Sequence, residues 1–136
     1  MLIDTHCHID ITESFGLKID EILTNCKEHH ISAIVQIAVD KNSSLWNKNF
    51  VNQQKQNKTK IYYTMGLHPE SVKNQDQINE VLNLIKENYK EDNFIGIGET
   101  GLDFFQTPET KDLQIESFYE AFSISKGIKP TCNNSL

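Results

Sequence analysis

The chain contains no arginine. Its 13 basic side chains are all lysines, against 19 acidic ones, for a net charge of −6. A protein that held nucleic acid by a broad electrostatic footprint would be basic. Any such contact here must be local, through a few lysines and bound divalent cations that invert the charge of an acidic site. Cysteine is scarce: Cys7, Cys26 and Cys132 form an odd set with no CxxC spacing. That excludes a disulfide framework and fits a reducing compartment. No run approaches the roughly 18 consecutive apolar residues of a membrane helix. Met1-Leu2-Ile3-Asp4 offers neither a basic nor an apolar leader region, so no signal peptide is expected and the cytoplasm is the expected address.

At 136 residues the chain suffices for one domain with a hydrophobic core. It is short for a complete (β/α)8 barrel, which takes about 250 residues. Four short apolar runs recur at intervals of about 30 residues, a rhythm that suits βα units: Leu2-Ile3-Asp4, Ile31 to Val39, Ile61 to Met65 and Phe94 to Ile97. The near-continuous second run reads as a strand buried on both faces of a parallel sheet. Between the runs lie helical stripes: Ile19, Ile22, Leu23 and Cys26; a weaker Leu45, Trp46 and Phe50; then Ile78, Val81, Leu82 and Ile85. A last helix is opened by Thr107-Pro108, closed by Gly127 and Pro130, and striped by Leu113, Phe118, Ala121 and Phe122. The order βαβαβαβα implies an α/β fold with right-handed crossovers, about four of the eight units of a TIM-type barrel.

The strongest chemical signal is Asp4-Thr5-His6-Cys7-His8, directly after the first run. Strand alternation sends His6 and His8 to one face and Cys7 to the other. Two neutral imidazoles at a barrel strand's C-terminal end can share a divalent metal; two loop histidines without a ligand role is the plainer reading. Cys7 reads as a small buried residue. In Gly96-Ile97-Gly98-Glu99-Thr100-Gly101-Leu102-Asp103, Glu99 closes the fourth strand. Its two oxygens suit a carboxylate bridging cations about 3.5–4 Å apart; taken alone, an exposed turn acid is the simpler reading. Gly96, Gly98 and Gly101 are expected to allow close backbone approach. In Gly66-Leu67-His68-Pro69-Glu70, His68 either orients a phosphate or ligand or is a turn histidine with no such role. The residues alone leave those two level. His29-His30 reads as a helix-end pair, capping carbonyls. Asp10, Glu13 and Asp103 read as orienting or surface acids near the site.

Taken together, Asp4 to Asp10, Gly66 to Pro69 and Ile97 to Phe105 resemble the motifs of TatD-type metal-dependent hydrolases, in order and spacing. Gln114-Ile115-Glu116-Ser117-Phe118 is similar to the start of the helix that follows. The resemblance covers about residues 1–130 and implies a TIM-type barrel with divalent metals, two in the complete site, drawn from magnesium, manganese or zinc. It implies His6 and His8 as ligands of the first metal, Glu99 as a contact to both, and His68 and Asp103 in the pocket, with Glu99, His68 and Asp103 as catalytic candidates. The implied reaction is phosphodiester hydrolysis, with DNA as substrate class.

The family completes its site with a His-x-Arg pair on the fifth strand, a further histidine and a late aspartate, which have no counterpart here. Thr131 to Leu136 does not read as a fifth strand. Residues 1–136 therefore read as a single half-barrel domain truncated after about residue 130, a weak catalyst or none, whose open sheet edges would require it to self-associate, bind a partner or stay partly unfolded. Two alternatives stand beside that reading. One is a non-catalytic remnant that binds metal or a partner. The other is an amidohydrolase-like barrel cleaving C–N or C–O bonds, disfavoured because no lysine lies near Glu99 on the fourth strand.

Overall fold

The computed structural model describes residues 2–127; the expectations placed on Pro130, Cys132 and a fifth strand lie outside them. Four parallel strands, β1 (Leu2–Cys7), β2 (Ile31–Gln36), β3 (Lys60–Met65) and β4 (Phe94–Ile97), form one sheet in the order β1-β2-β3-β4. Each strand pairs with its neighbour in sequence, which is what βα crossovers of one hand produce. The helices are α1 (Ile9–Ser14), α2 (Ile19–Glu28), α3 (Lys41–Gln53), α4 (Gln75–Asn88) and α5 (Lys111–Gly127). No helix among the described residues is long and apolar enough to cross a membrane.

Burial follows the strand pattern. Ile34, Ile61, Tyr63 and Met65 meet Leu23 and Cys26 of α2, Phe50 and Val51 of α3, and Ile78, Val81, Leu82 and Ile85 of α4. The helices start where their side chains can hold orphan amides. Asp40 accepts from the Ser43 amide at 2.7 Å to open α3, and Asn74 accepts from the Gln77 amide at 3.0 Å to open α4. The C-termini of β1, β2, β3 and β4 converge at one end, held by amide–carbonyl bonds beyond the regular ladder. Ile37 N donates to Cys7 O (2.9 Å), His68 N to Val39 O (2.8 Å), Gly98 N to Met65 O (2.9 Å) and Glu99 N to Ala38 O (2.6 Å).

Several boundaries differ from the sequence pattern. β1 runs through Cys7 because it pairs with β2 as far as Gln36, and β2 stops at Gln36 although apolar residues continue to Val39. The six-residue α1 is too short to show a helical period. Thr107-Pro108 opens a 3-10 turn at Pro108–Thr110, and Gly127 lies inside α5 rather than beyond it. On α5 the buried face is Gln114, Ser117 and Ala121, while Phe118 and Phe122 are 41 % and 52 % exposed. Ala121 and Leu113 of the expected stripe meet the core, whereas Phe118 and Phe122 lie where no described element covers them. β1 and β4 are both sheet edges, and Leu2, Ile3 and Ile95 on them are exposed.

Candidate metal centre

At the converging strand ends, the candidate ligand pair His6 and His8 is set by the run of β1 into α1. Its extended geometry carries through Cys7, and His8 becomes the N-cap residue of α1. The Nε2 atoms of His6 and His8 lie 3.1 Å apart. Glu99 Oε2, delivered by the turn after β4, is 3.8 Å from His6 Nε2 and 4.0 Å from His8 Nε2. Ligand atoms of these three residues all fall within 4.8 Å of one another, the one such group among the described residues.

These distances suit a divalent ion. Two nitrogens each about 2.0–2.1 Å from one metal stand roughly 2.8–3.4 Å apart at octahedral or tetrahedral angles. The His6–His8 separation meets that condition, while Glu99 Oε2, at 3.8 and 4.0 Å, lies farther out. His8 Nδ1 is buried and has no hydrogen-bond partner among the described residues.

His68 caps the 3-10 turn Pro69–Ser71, its Nδ1 accepting from the Glu70 amide at 3.3 Å. An amide can only donate, so in neutral His68 the proton sits on Nε2. That N–H lies 3.8 Å from Glu99 Oε1, the oxygen turned away from the histidine pair. His68 therefore presents a donor to the site.

Asp103 lies outside the three-residue group. Its Oδ1 accepts from the amides of Phe105 (2.9 Å) and Gln106 (2.8 Å), and fully buried Gln114 binds its backbone on both sides. Asp10 accepts from Gln36 Nε2 at 2.8 Å, and Glu13 belongs to α1. His29 and His30 end α2 through their backbone amides, which reach Asn25 O and Lys27 O, with His30 at a φ of 58°. The imidazoles expected to cap carbonyls are not what closes the helix. Cys7 turns away from the histidines and its thiol donates to Val35 O at 3.3 Å. Burial, then the Asp4 carboxylate, pushes that thiol up to about 12, so at neutral pH it is not a thiolate ligand.

The expected close backbone approach falls at another glycine. A Cβ on Gly98 or Gly101 would meet nothing within 4 Å, and one on Gly96 would only touch Thr64. A Cβ on Gly66 would lie 2.4 Å from Gly98 C and 2.6 Å from Glu99 O. The Glu99-bearing turn folds over the end of β3, and Gly66 is where it lands. Gln36 and Gly66 both serve the site without having been singled out for it. For Gln36 the signal is a polar residue inside the apolar run Ile31 to Val39.

The family model for TatD related DNase matches residues 3–131. The chain belongs to this family. Similar proteins include the uncharacterized metal-dependent hydrolase YcfH of Escherichia coli K12, 27% identical over 127 residues, covering 92% of this chain and 45% of YcfH. The uncharacterized metal-dependent hydrolase MJ1582 of Methanocaldococcus jannaschii is 33% identical over 125 residues, covering 91% of this chain and 46% of that protein. The crystal structure of a TatD family hydrolase from Entamoeba histolytica superposes with a TM-score of 0.76 at 21% identity, covering 93% of this chain and 46% of that one. The chain spans about half the length of the curated relatives it matches. Its fold is that of a partial TIM-type barrel, and its TatD family is one of metal-dependent hydrolases.

Proposed function

We propose that this chain carries the first-metal half of a TatD-type phosphodiesterase active site, with DNA as substrate class. The observation that supports this reading is the convergence of His6, His8 and Glu99 at the C-terminal mouth of four parallel strands. Barrel chemistry resides at that end. His6 and His8 would hold one divalent ion, magnesium, manganese or zinc, through Nε2. Glu99 would reach that ion through Oε2 and offer Oε1 to a second. The chemistry bound ions supply is acidification of a water and polarisation of phosphoryl oxygens. His68 holds its Nε2 proton beside Glu99 Oε1, where it can donate to a phosphate oxygen. The described residues bring only three ligands together, so the 136-residue chain is expected to bind metal and to turn substrate over slowly or not at all.

The test is manganese binding by calorimetry, with cleavage of a labelled single-stranded oligonucleotide followed in parallel. Binding that disappears in a His6→Ala, His8→Ala double variant supports the centre. A wild-type chain that binds no divalent ion overturns it. Any turnover that requires Glu99 and acts on an amide or carboxyl ester, but not on a phosphodiester, overturns the substrate class.

A further inference from the structure

We propose that Gln36 is the positioning residue of the metal centre, setting the aim of His8 through the Ile9 amide. The inference rests on the reading of His8 as a ligand and extends it to a residue that touches neither metal nor substrate.

The start of α1 leaves one amide in need of a partner. A helix leaves its first amides without intrahelical acceptors, and the N-cap side chain ordinarily serves N2 or N3, so the N1 amide needs another. The N-cap here is His8, whose side chain makes no cap bond and whose Nε2 is turned toward His6 and Glu99. Ile9 is buried, so its amide has no access to water. An unpaired buried amide is costly, and the partner comes from outside the helix. Gln36 Oε1 accepts from Ile9 N at 2.7 Å. The partner of this N1 amide thus comes from the next strand, and the backbone that carries the His8 imidazole is fixed from outside the helix.

The rest of the Gln36 amide is committed as well. Its Nε2 donates to Asp10 Oδ1 at 2.8 Å, in the first turn of α1, and its Oε1 lies 3.9 Å from Cys7 Sγ. Gln36 stands opposite Cys7 in the β1–β2 register and is fully buried. It thus holds both sides of His8 in sequence, where β1 leaves the sheet.

A second, independent observation points the same way. Metal-binding histidines usually donate their other ring nitrogen to a carboxylate or carbonyl, which fixes the ring. His8 Nδ1 is buried and has no such partner among the described residues. The ring must take its direction from the backbone. That backbone is pinned on both faces of the His8–Ile9 peptide: the carbonyl by Thr12 N and Thr12 Oγ1, both at 2.9 Å, and the amide by Gln36.

The test compares wild type with Gln36→Leu, Gln36→Glu and Thr59→Val. The last removes a buried hydrogen bond to Ile31 O at the opposite end of the strands, as a control for general destabilisation. On the metal-free chain, NMR reads the imidazole signals of His8 and the exchange rate of the Ile9 amide. Gln36→Leu is expected to move the His8 signals and speed Ile9 exchange by about tenfold or more, and Thr59→Val to leave His8 in place. Gln36→Glu keeps the acceptor, so Ile9 stays protected, and this variant also decides the matter should Gln36→Leu not fold. In cobalt(II) titrations, Gln36→Leu is expected to bind about 10–100-fold more weakly with an altered visible spectrum, and Gln36→Glu to recover part of that loss. His8 signals and cobalt affinity unchanged in a folded Gln36→Leu chain would overturn the proposal, as would loss of Ile9 protection in a folded Gln36→Glu chain. If the wild-type chain takes up no cobalt, the metal reading has failed, and the metal-free measurements still decide the role of Gln36.

Discussion

Gly66 lies beneath the Gly98–Glu99 peptide so closely that a Cβ built on it would stand 2.4 Å from Gly98 C. The obstructing atoms are backbone, which cannot swing aside as a side-chain tip would. Gly66→Ala is therefore expected to destabilise the chain by about 1–3 kcal/mol, the usual range for overpacking. It should also displace Glu99 and weaken manganese binding. Urea unfolding and calorimetry on the same preparation check both effects. Gly98→Ala and Gly101→Ala, which meet no neighbour, should leave metal binding close to wild type.

Cys7 is expected to be nearly inert. Alkylation requires the thiolate, and burial with the Asp4 charge holds this thiol at about 12. Labelling with N-ethylmaleimide at neutral pH, mapped by mass spectrometry, should modify Cys7 far more slowly in the native chain than in urea. Equal rates would show that the thiol is not held against Val35 O.

Glu91 should give the stability profile an acid limb. Burial alone would raise its carboxyl, but hydrogen bonds from Lys48 (2.9 Å) and the Tyr63 hydroxyl (2.8 Å) outweigh burial and hold it below its ordinary value. A carboxyl lowered on folding contributes stability above its unfolded pKa and loses it as pH falls through the folded value. The melting temperature of wild type should therefore drop more between neutral and acid pH than that of Glu91→Gln. Parallel profiles would remove Glu91 from the account.

How much of this was legible follows from where the information sits. Ile78, Val81, Leu82 and Ile85 announce α4 because one face of a long helix meets the core. His6 and His8 announce a shared face because strand alternation is local. Gly66 and Glu99, by contrast, follow two different strands, and no period in the sequence records that one must lie under the other. The α5 stripe misleads for a related reason: Phe118 and Phe122 have helical spacing, but what would cover them is not among the described residues. The Asp103 side chain is drawn into backbone bonds of its own turn, a competition that residue type alone does not display.

Self-association is expected of the chain when it is prepared alone. Strands β1 and β4 both end the sheet, and Leu2, Ile3 and Ile95 on them are exposed. Unpaired edges with apolar side chains template pairing. Sedimentation over a wide concentration range should show an average mass that rises with concentration. Leu2→Lys and Ile95→Lys together should hold it near 15.6 kDa. A wild-type mass that stays at that value throughout would show the edges to be harmless.

The meeting of the two ends of the strand row at Glu99 has a consequence for the order of assembly. His6 on β1 and Glu99 just after β4 stand at opposite ends of the row β1-β2-β3-β4, yet their side chains come within 3.8 Å. Every strand pairing joins neighbours in sequence and closes a modest loop, whereas the ligand set spans nearly the whole row and pays the largest closure cost. The ligand set then becomes complete only after every strand has docked, so a divalent ion added during refolding would report the final event and none of the earlier ones.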